Sequence, residues 1–372
     1  MLNFDSNDAT LFEAQVVDGS TKPLTAQRWL RIGGLAWMSD GNNLLMRATE
    51  GQNFVHQIWQ FSYPEGEARR LTNDLDNYSG ISMAADSNTL AVVKSEREAS
   101  IWVAPLGDAS RARPVTSGSG KADSGSAWTP DGRIVYHSNA GGNYDIWITG
   151  ADGGNPKRLT ANARVNQGPT VSPDGRSIVF LSDRSGVPHL WRMNIDGSDQ
   201  RQLTNGGSGE DTPQFSPDGR WLVYRTSLGK PTIWKMPADG GEPVQLTDKL
   251  SISPTVSPDG KLVAYIYQDE NAPARIAVAP LEGGDPLKTF AVPITSSTLL
   301  RWTPDGRAVA YIDAPNDVSN IFAQPLDGSA PKQLTDFKAD RIFSFAYSRD
   351  GKQLALSRGT INNDVILISG FQ

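Results

Sequence analysis

The chain has 372 residues, with 36 glycines, 24 prolines, no cysteine and a formal net charge of −6. A mild acidic balance spread along the chain excludes a concentrated basic face, so no nucleic-acid partner is expected. Without cysteine there is no disulfide, no thiolate metal site and no cysteine nucleophile.

The start, "MLNFDSNDATLFEAQ", has neither a basic n-region nor an apolar core. No run of 18 apolar residues follows anywhere, so this chain is expected not to insert into a membrane. Leu11–Val17 has the pattern of a strand. "VVDGSTKPLT" (Val16–Thr25) matches "PLDGSAPKQLT" (Pro325–Thr335).

From there the chain repeats one phrase. Worn copies are "WMSDGN" at Asp40 and "MAADSN" at Asp86. Clear copies are "WTPDGR" at Asp131, "VSPDGR" at Asp174, "FSPDGR" at Asp218, "VSPDGK" at Asp259, "WTPDGR" at Asp305 and "YSRDGK" at Asp350. The gaps between them are 46, 45, 43, 44, 41, 46 and 45 residues. In S-P-D-G, proline presets φ, aspartate can bond nearby N–H groups, and glycine supplies a positive φ. The phrase therefore reads as the hairpin joining the first and second strands of each copy, rather than as a row of acidic sites.

After each turn comes a β-type run such as "IVYHS" (Ile134–Ser138) or "LVYRT" (Leu222–Thr226), then a polar loop. A run with an aromatic follows, such as "IWITG" or "LWRMN", and the copy closes on "KRLT", "RQLT", "VQLT" or "KQLT". Short runs rich in Val, Ile, Tyr and Trp between turn residues are strands, and no helical period is sustained. Four antiparallel strands repeated at about 44 residues specify an all-β chain, a single eight-bladed β-propeller over 1–372. The blades fall near 26–72, 73–116, 117–160, 161–204, 205–247, 248–290 and 291–335, with 336–372 completed by 9–25. The eighth copy lacks its closing strand, so the N-terminal strand is expected to close the ring there. Trp59, Trp102, Trp147, Trp191, Trp234 and Phe322 share one place in the third strand and are read as inter-blade core. Ala277 takes that place in the sixth copy, where looser packing is expected.

S-P-D-G together with the "IWxM" and "xLT" phrases resembles the TolB-like (PD40, WD40-like) propeller family, over essentially the whole chain. Related blades occur in periplasmic TolB proteins, in tricorn-type and prolyl-oligopeptidase-type peptidases and in pectin-fragment lyases. "FAYSRDGKQLALSRGTINNDVILISGF" (Phe345–Phe371) resembles the end of propellers attached to bacterial receptor-type Ser/Thr kinases and winged-helix regulators. That resemblance implies the sensor part of a larger bacterial signalling protein. It would be extracytoplasmic if the protein is a membrane receptor, and cytoplasmic otherwise.

Catalytic patterns are few. The three histidines, His56, His137 and His189, hold unequal places in three copies. No G-x-S-x-G elbow occurs. "SGSGKA" (Ser117–Ala122) lacks the spacing and the Ser or Thr of a phosphate loop. "NDLDNYSG" (Asn73–Gly80) weakly resembles a calcium loop but lacks its terminal glutamate, so no cofactor is expected. The loops between copies, and those between second and third strands, carry charges and aromatics, and variable loops on a rigid scaffold are where binding resides. The candidate channel-mouth residues are Trp29, Arg31, Asp76, Tyr78, Arg97, Tyr144, Arg164, Asn166, Asp183, Arg184, His189, Asp211, Asp340, Arg341 and Arg358. They suit a peptide, a protein or a small polar ligand bound without catalysis by a monomer. The alternatives are a TolB-like interaction scaffold and, behind it, a propeller lyase or hydrolase.

Overall fold

A computed structural model describes residues 9–49, 55–85, 88–117, 121–207, 209–227, 229–269, 272–294, 299–315 and 318–370. Among these there is no α-helix, and a 3-10 turn occupies Ala109–Arg111. The turn expected at Asp86 lies outside the described residues.

The S-P-D-G phrase forms the hairpin it was expected to form, through a repeated network. Ser216 Oγ donates to Asp218 Oδ1 (2.5 Å) and accepts the Trp221 N–H (3.0 Å), while Asp218 Oδ1 accepts the Arg220 N–H (3.1 Å). The same three bonds recur around Asp174, Asp259, Asp305 and Asp350. The turns also touch one another. A Cβ on Gly175 would lie 2.8 Å from Pro130 of the preceding turn, and one on Gly351 2.9 Å from Pro304. Proline and glycine thus serve both the turn and its neighbour.

The closing "LT" has an equally specific basis. Its threonine Oγ accepts the N–H that opens the third strand: Ile146 to Thr160 (2.9 Å), Leu190 to Thr204 (3.0 Å), Ile233 to Thr247 (2.9 Å) and Ile321 to Thr335 (2.8 Å). This bond holds a fourth strand of two or three residues to its sheet.

The chain divides into two compact units, Glu98–Thr360 and Met1–Arg97 with Ile361–Gln372. The larger holds six four-stranded sheets. Sheet one is Ser124–Trp128, Arg133–Ser138, Asp145–Gly150 and Lys157–Arg158, in spatial order. Sheets two to five repeat that order: Asn166–Val171 to Arg201–Gln202, Glu210–Phe215 to Val244–Gln245, Leu250–Val256 to Lys288–Phe290, and Leu300–Trp302 to Lys332–Gln333. Sheet six takes Arg341–Tyr347 and residues 353–360 from the end of the unit, and residues 98–105 and Arg113–Pro114 from its beginning.

Apolar clusters join successive sheets. Val135 and Ile148 meet Ile178 and Phe180, Val179 meets Leu222, and Val223 meets Val263. Ile276 meets Leu300 and Trp302, and Ala310 and Ile321 meet Phe345 and Leu354. Sheet six packs in turn on sheet one, where Ile101, Val103 and Ala355 meet Trp128 and Ile134. Trp102, Trp147, Trp191, Trp234 and Phe322 pack at these seams as expected, Trp59 packs in the smaller unit against Trp29, and Ala277 is fully buried in its own seam.

The smaller unit has a hairpin of Phe12–Ala14 and Thr21–Pro23 and a four-stranded sheet from Arg31–Trp37 to Ala68–Arg70. In it, Asn77–Met83 also pairs with residues 89–97, which lie beside residues 361–369.

Two expectations are corrected here. The sheets do not form eight equal blades, and the N-terminal segment does not complete the last one, because Phe12–Ala14 pairs with Thr21–Pro23. The cause is a pair of 17-residue strands, Thr89–Pro105 and Gln353–Ser369. In the second and eighth copies the segments between the second and third strands, "SEREAS" and "SRGTINN", lack the Gly-Gly or Pro that copies three to seven have there. The second strand there runs straight on into the third. Copies two and eight consequently exchange halves, which gives sheet six its mixed origin.

Candidate functional site

Sheet two carries the densest group of expected site residues, and the structure ties them into its framework. Asn166 is fully buried at the start of the first strand. Its Nδ2 donates to Asp145 Oδ1 (3.0 Å), and its Oδ1 accepts Arg184 Nη2 (3.0 Å). Arg184 also donates to Ser182 Oγ (2.9 Å) and Gln200 Oε1 (2.7 Å), and stacks over Trp191 at 4.5 Å. Burial holds its pKa below the usual arginine range. Asp145 also accepts Thr160 Oγ (2.9 Å) and pairs with Arg158. Asp183 accepts the Val165 N–H (3.0 Å), and Tyr144 lies edge-on to His137 with ring centres 5.8 Å apart.

His189 and Asp211 are buried and saturated. His189 Nδ1 lies 2.7 Å from Glu210 Oε2, which also accepts Thr204 Oγ (2.7 Å). Asp211 receives both Nε and Nη2 of Arg225. These two are corrected from mouth residues to buried anchors between strands, as is Asn166. Sequence alone showed a charged loop. It did not show that a partner 14 to 21 residues away would claim each of these side chains.

In the smaller unit, Trp29 is 1% exposed and meets Trp59 edge-on at 6.1 Å, so it is core and not mouth. Tyr78, 3% exposed, donates to Asp74 Oδ2 (2.7 Å), and burial raises its pKa, with that bond adding to the shift. It too is corrected to core. Asp76 pairs with Lys94 (2.8 Å), Arg31 is exposed and Arg97 half-buried. His56 lies in this unit, where burial lowers its pKa, whereas His137 and His189 belong to the larger unit. Among the described residues no group of three or more His, Cys, Asp or Glu could hold a metal ion. No helix among them is long and apolar enough to cross a membrane.

Arg164, Asp340 and Arg341 lie half-buried at the loop end of the larger unit's first strands. Arg358 lines a formed groove. It donates to Asp340 Oδ2 (3.2 Å) and the Ala339 carbonyl (3.2 Å), and stacks on Phe337 at 3.8 Å and Trp102 at 5.1 Å. The groove measures about 680 Å³. Its apolar floor includes Ala109, Ala112, Leu334 and Phe337, and its rim includes Asp108, Asp336, Lys338 and Arg358. That volume suits a ligand or a short chain segment. The 3-10 turn that forms one wall escaped the sequence reading, because "LGDASRA" carries only generic loop signals.

Residues 95–284 match the family described as the TolB beta propeller domain, PD40. Among curated proteins, "Tricorn protease homolog 1" of Streptomyces coelicolor is 33% identical over 102 residues, 27% of this chain and 9% of that protein. "Uncharacterized peptidase YuxL" of Bacillus subtilis is 30% identical over 111 residues, 30% of this chain and 16% of that protein. The match thus spans a small part of each curated relative. Among solved structures, TolB from Acinetobacter baumannii superposes with a TM-score of 0.52 at 16% identity, covering 89% of this chain and 80% of that one. With a match over half its length and repeats that fold as four-stranded sheets, the chain belongs to the TolB beta propeller domain family.

Proposed function

We propose that the six sheets of the larger unit form a closed ring that works as a non-catalytic protein-interaction module. It takes a segment of its partner in the groove lined by Leu334, Phe337, Lys338 and Arg358. The observation that carries this reading is the groove itself, about 680 Å³ and lined by apolar side chains together with charges of both signs. An apolar floor supplies affinity, and the rim charges select orientation. The family membership supports an interaction scaffold, and the sensor role suggested by the last stretch would be one setting for it.

The test is co-purification with the full chain and with Asp336→Lys/Lys338→Glu, two exposed positions paired to each other at the surface. The reading expects a stoichiometric partner that the double variant loses while its circular dichroism is unchanged. A partner held equally by both proteins removes the groove from consideration. A second reading rests on the two curated relatives, both peptidases by name. In it, the propeller guides substrate to a hydrolase located elsewhere, and the isolated chain cleaves nothing.

A further inference from the structure

We infer that the turn end of the larger unit's first strands receives a carboxylate ligand, with Arg301 as its principal contact. The site is separate from the groove and independent of what binds there. Arg301 lies in Leu300–Trp302, opposite Ala310. The matching positions of the other five sheets hold Ala127, Thr170, Gln214, Thr255 and Ala346. Five sheets put a small or neutral side chain there, and one puts a guanidinium.

That guanidinium has little to satisfy it. Nη1 donates to the Leu300 carbonyl (2.8 Å), and among the described residues no carboxylate pairs with it. Three other withdrawn arginines of this unit are answered by side chains: Arg225 by Asp211, Arg358 by Asp340, and Arg184 by three side-chain acceptors. Arg301 is half-buried, so it keeps a partly accessible surface. Burial alone pushes its pKa down to about 10.

A second arginine repeats the pattern at the same end. Arg349 replaces the proline of the sixth turn, and its Nη2 donates to the main-chain carbonyls of Val171 (3.0 Å) and Ser172 (3.3 Å) in sheet two. Burial lowers its pKa as well. Two guanidinium groups answered, among the described residues, only by carbonyl dipoles stand at this end, whereas the turn aspartates there are already held by hydrogen bonds of their own turns. A buried cation without a counter-charge is costly, and an incoming anion removes that cost. The planar fork of Arg301 has N–H pairs left that match a carboxylate, and the neutral Gln214 and Thr255 at the equivalent positions add no repelling acid. Such a carboxylate comes from a small organic acid or from a peptide C-terminus.

The test is calorimetric titration of the full chain, at constant chloride, with acetate, N-acetyl-trialanine and its C-terminal amide. Saturable binding of acetate and of the free peptide identifies the carboxylate alone, and binding of the free peptide without acetate identifies a peptide terminus. In either case the amide binds at least about tenfold more weakly. Arg301→Gln loses the binding, Arg301→Lys weakens it, and Arg301→Gln without ligand melts above the wild type, because the unanswered charge is gone. No carboxylate binding by the wild type overturns the assignment, and so does undiminished binding by Arg301→Gln.

Discussion

Thr212 and Ser253 stand in the left-handed region, at φ 50° and 55°, inside the bulges of their first strands. The corresponding bulges hold Gly125 and Gly168, at 63° and 59°. A β-branched residue pays a penalty there that exceeds glycine's entropy cost. Thr212→Gly is therefore expected to stabilise the chain by about 0.5–1 kcal/mol, read as a raised denaturant midpoint at unchanged slope. An unchanged or lowered midpoint would show that the hydroxyl bond to Asp211 outweighs the strain. At this scale the sequence was a partial guide. It marked Asn166, Arg184, His189 and Asp211 as notable, and all four do occupy polar networks. Their loops looked solvated because each partner is remote in the chain: Glu210 for His189, Arg225 for Asp211. Trp29 and Tyr78 were misplaced for a related reason, since one residue of register decides whether a ring faces solvent or core.

Within an element, the threonine of each "LT" does different amounts of work. Thr204 Oγ accepts the Leu190 N–H and donates to the buried Glu210, whereas Thr247 makes the first bond without an acid beyond it. Thr204→Val should cost about 2 kcal/mol and Thr247→Val about 1 kcal/mol, because only the former takes a hydrogen bond from a buried carboxylate, leaving Glu210 with His189. Equal losses by chemical denaturation would show that the N–H bond alone matters. Sheet six offers a sharper case. A Cβ on Gly359 would lie 1.9 Å from the Glu98 carbonyl oxygen and 2.7 Å from Ala99 Cα, both rigid backbone. Gly359→Ala is expected to part residues 353–360 from 98–105 and to lower the melting temperature far more than an exposed substitution does. Wild-type-like melting would contradict that pairing. Strand content, turn position and the four-strand repeat were all legible in the sequence, since each depends on local chemistry. The two 17-residue strands were not legible, because a missing breaker is a weaker signal than a present one.

Across the whole molecule the turn aspartates act together. Asp131, Asp174, Asp218, Asp259, Asp305 and Asp350 all have lowered pKa values, held down first by hydrogen bonds from side chains of the same turn. For Asp218 the value falls from 3.8 to about 2. A lowered native pKa gives stability that is complete above the unfolded value and is lost as pH falls through the native one. Unfolding free energy should thus fall steeply from about pH 4 to about pH 2, and Asp218→Asn should shallow that slope. A flat profile across this window would mean that the turns persist when protonated.

Sheet six also bears on how the larger unit is made during synthesis. Residues 98–105 leave the ribosome first within this unit, and the neighbour that pairs with them, 353–360, leaves last within it. Until then the strand edge of residues 98–105 waits without its mate, although Ile101 and Val103 have Trp128 and Ile134 to meet. Closing so long a span is entropically slow, and the waiting strand is open to association with other nascent chains. Joining the unit's own ends with a short linker and cutting it between two central turns would bring those strands together at once. Such a circular permutant should fold faster while keeping the native unfolding rate.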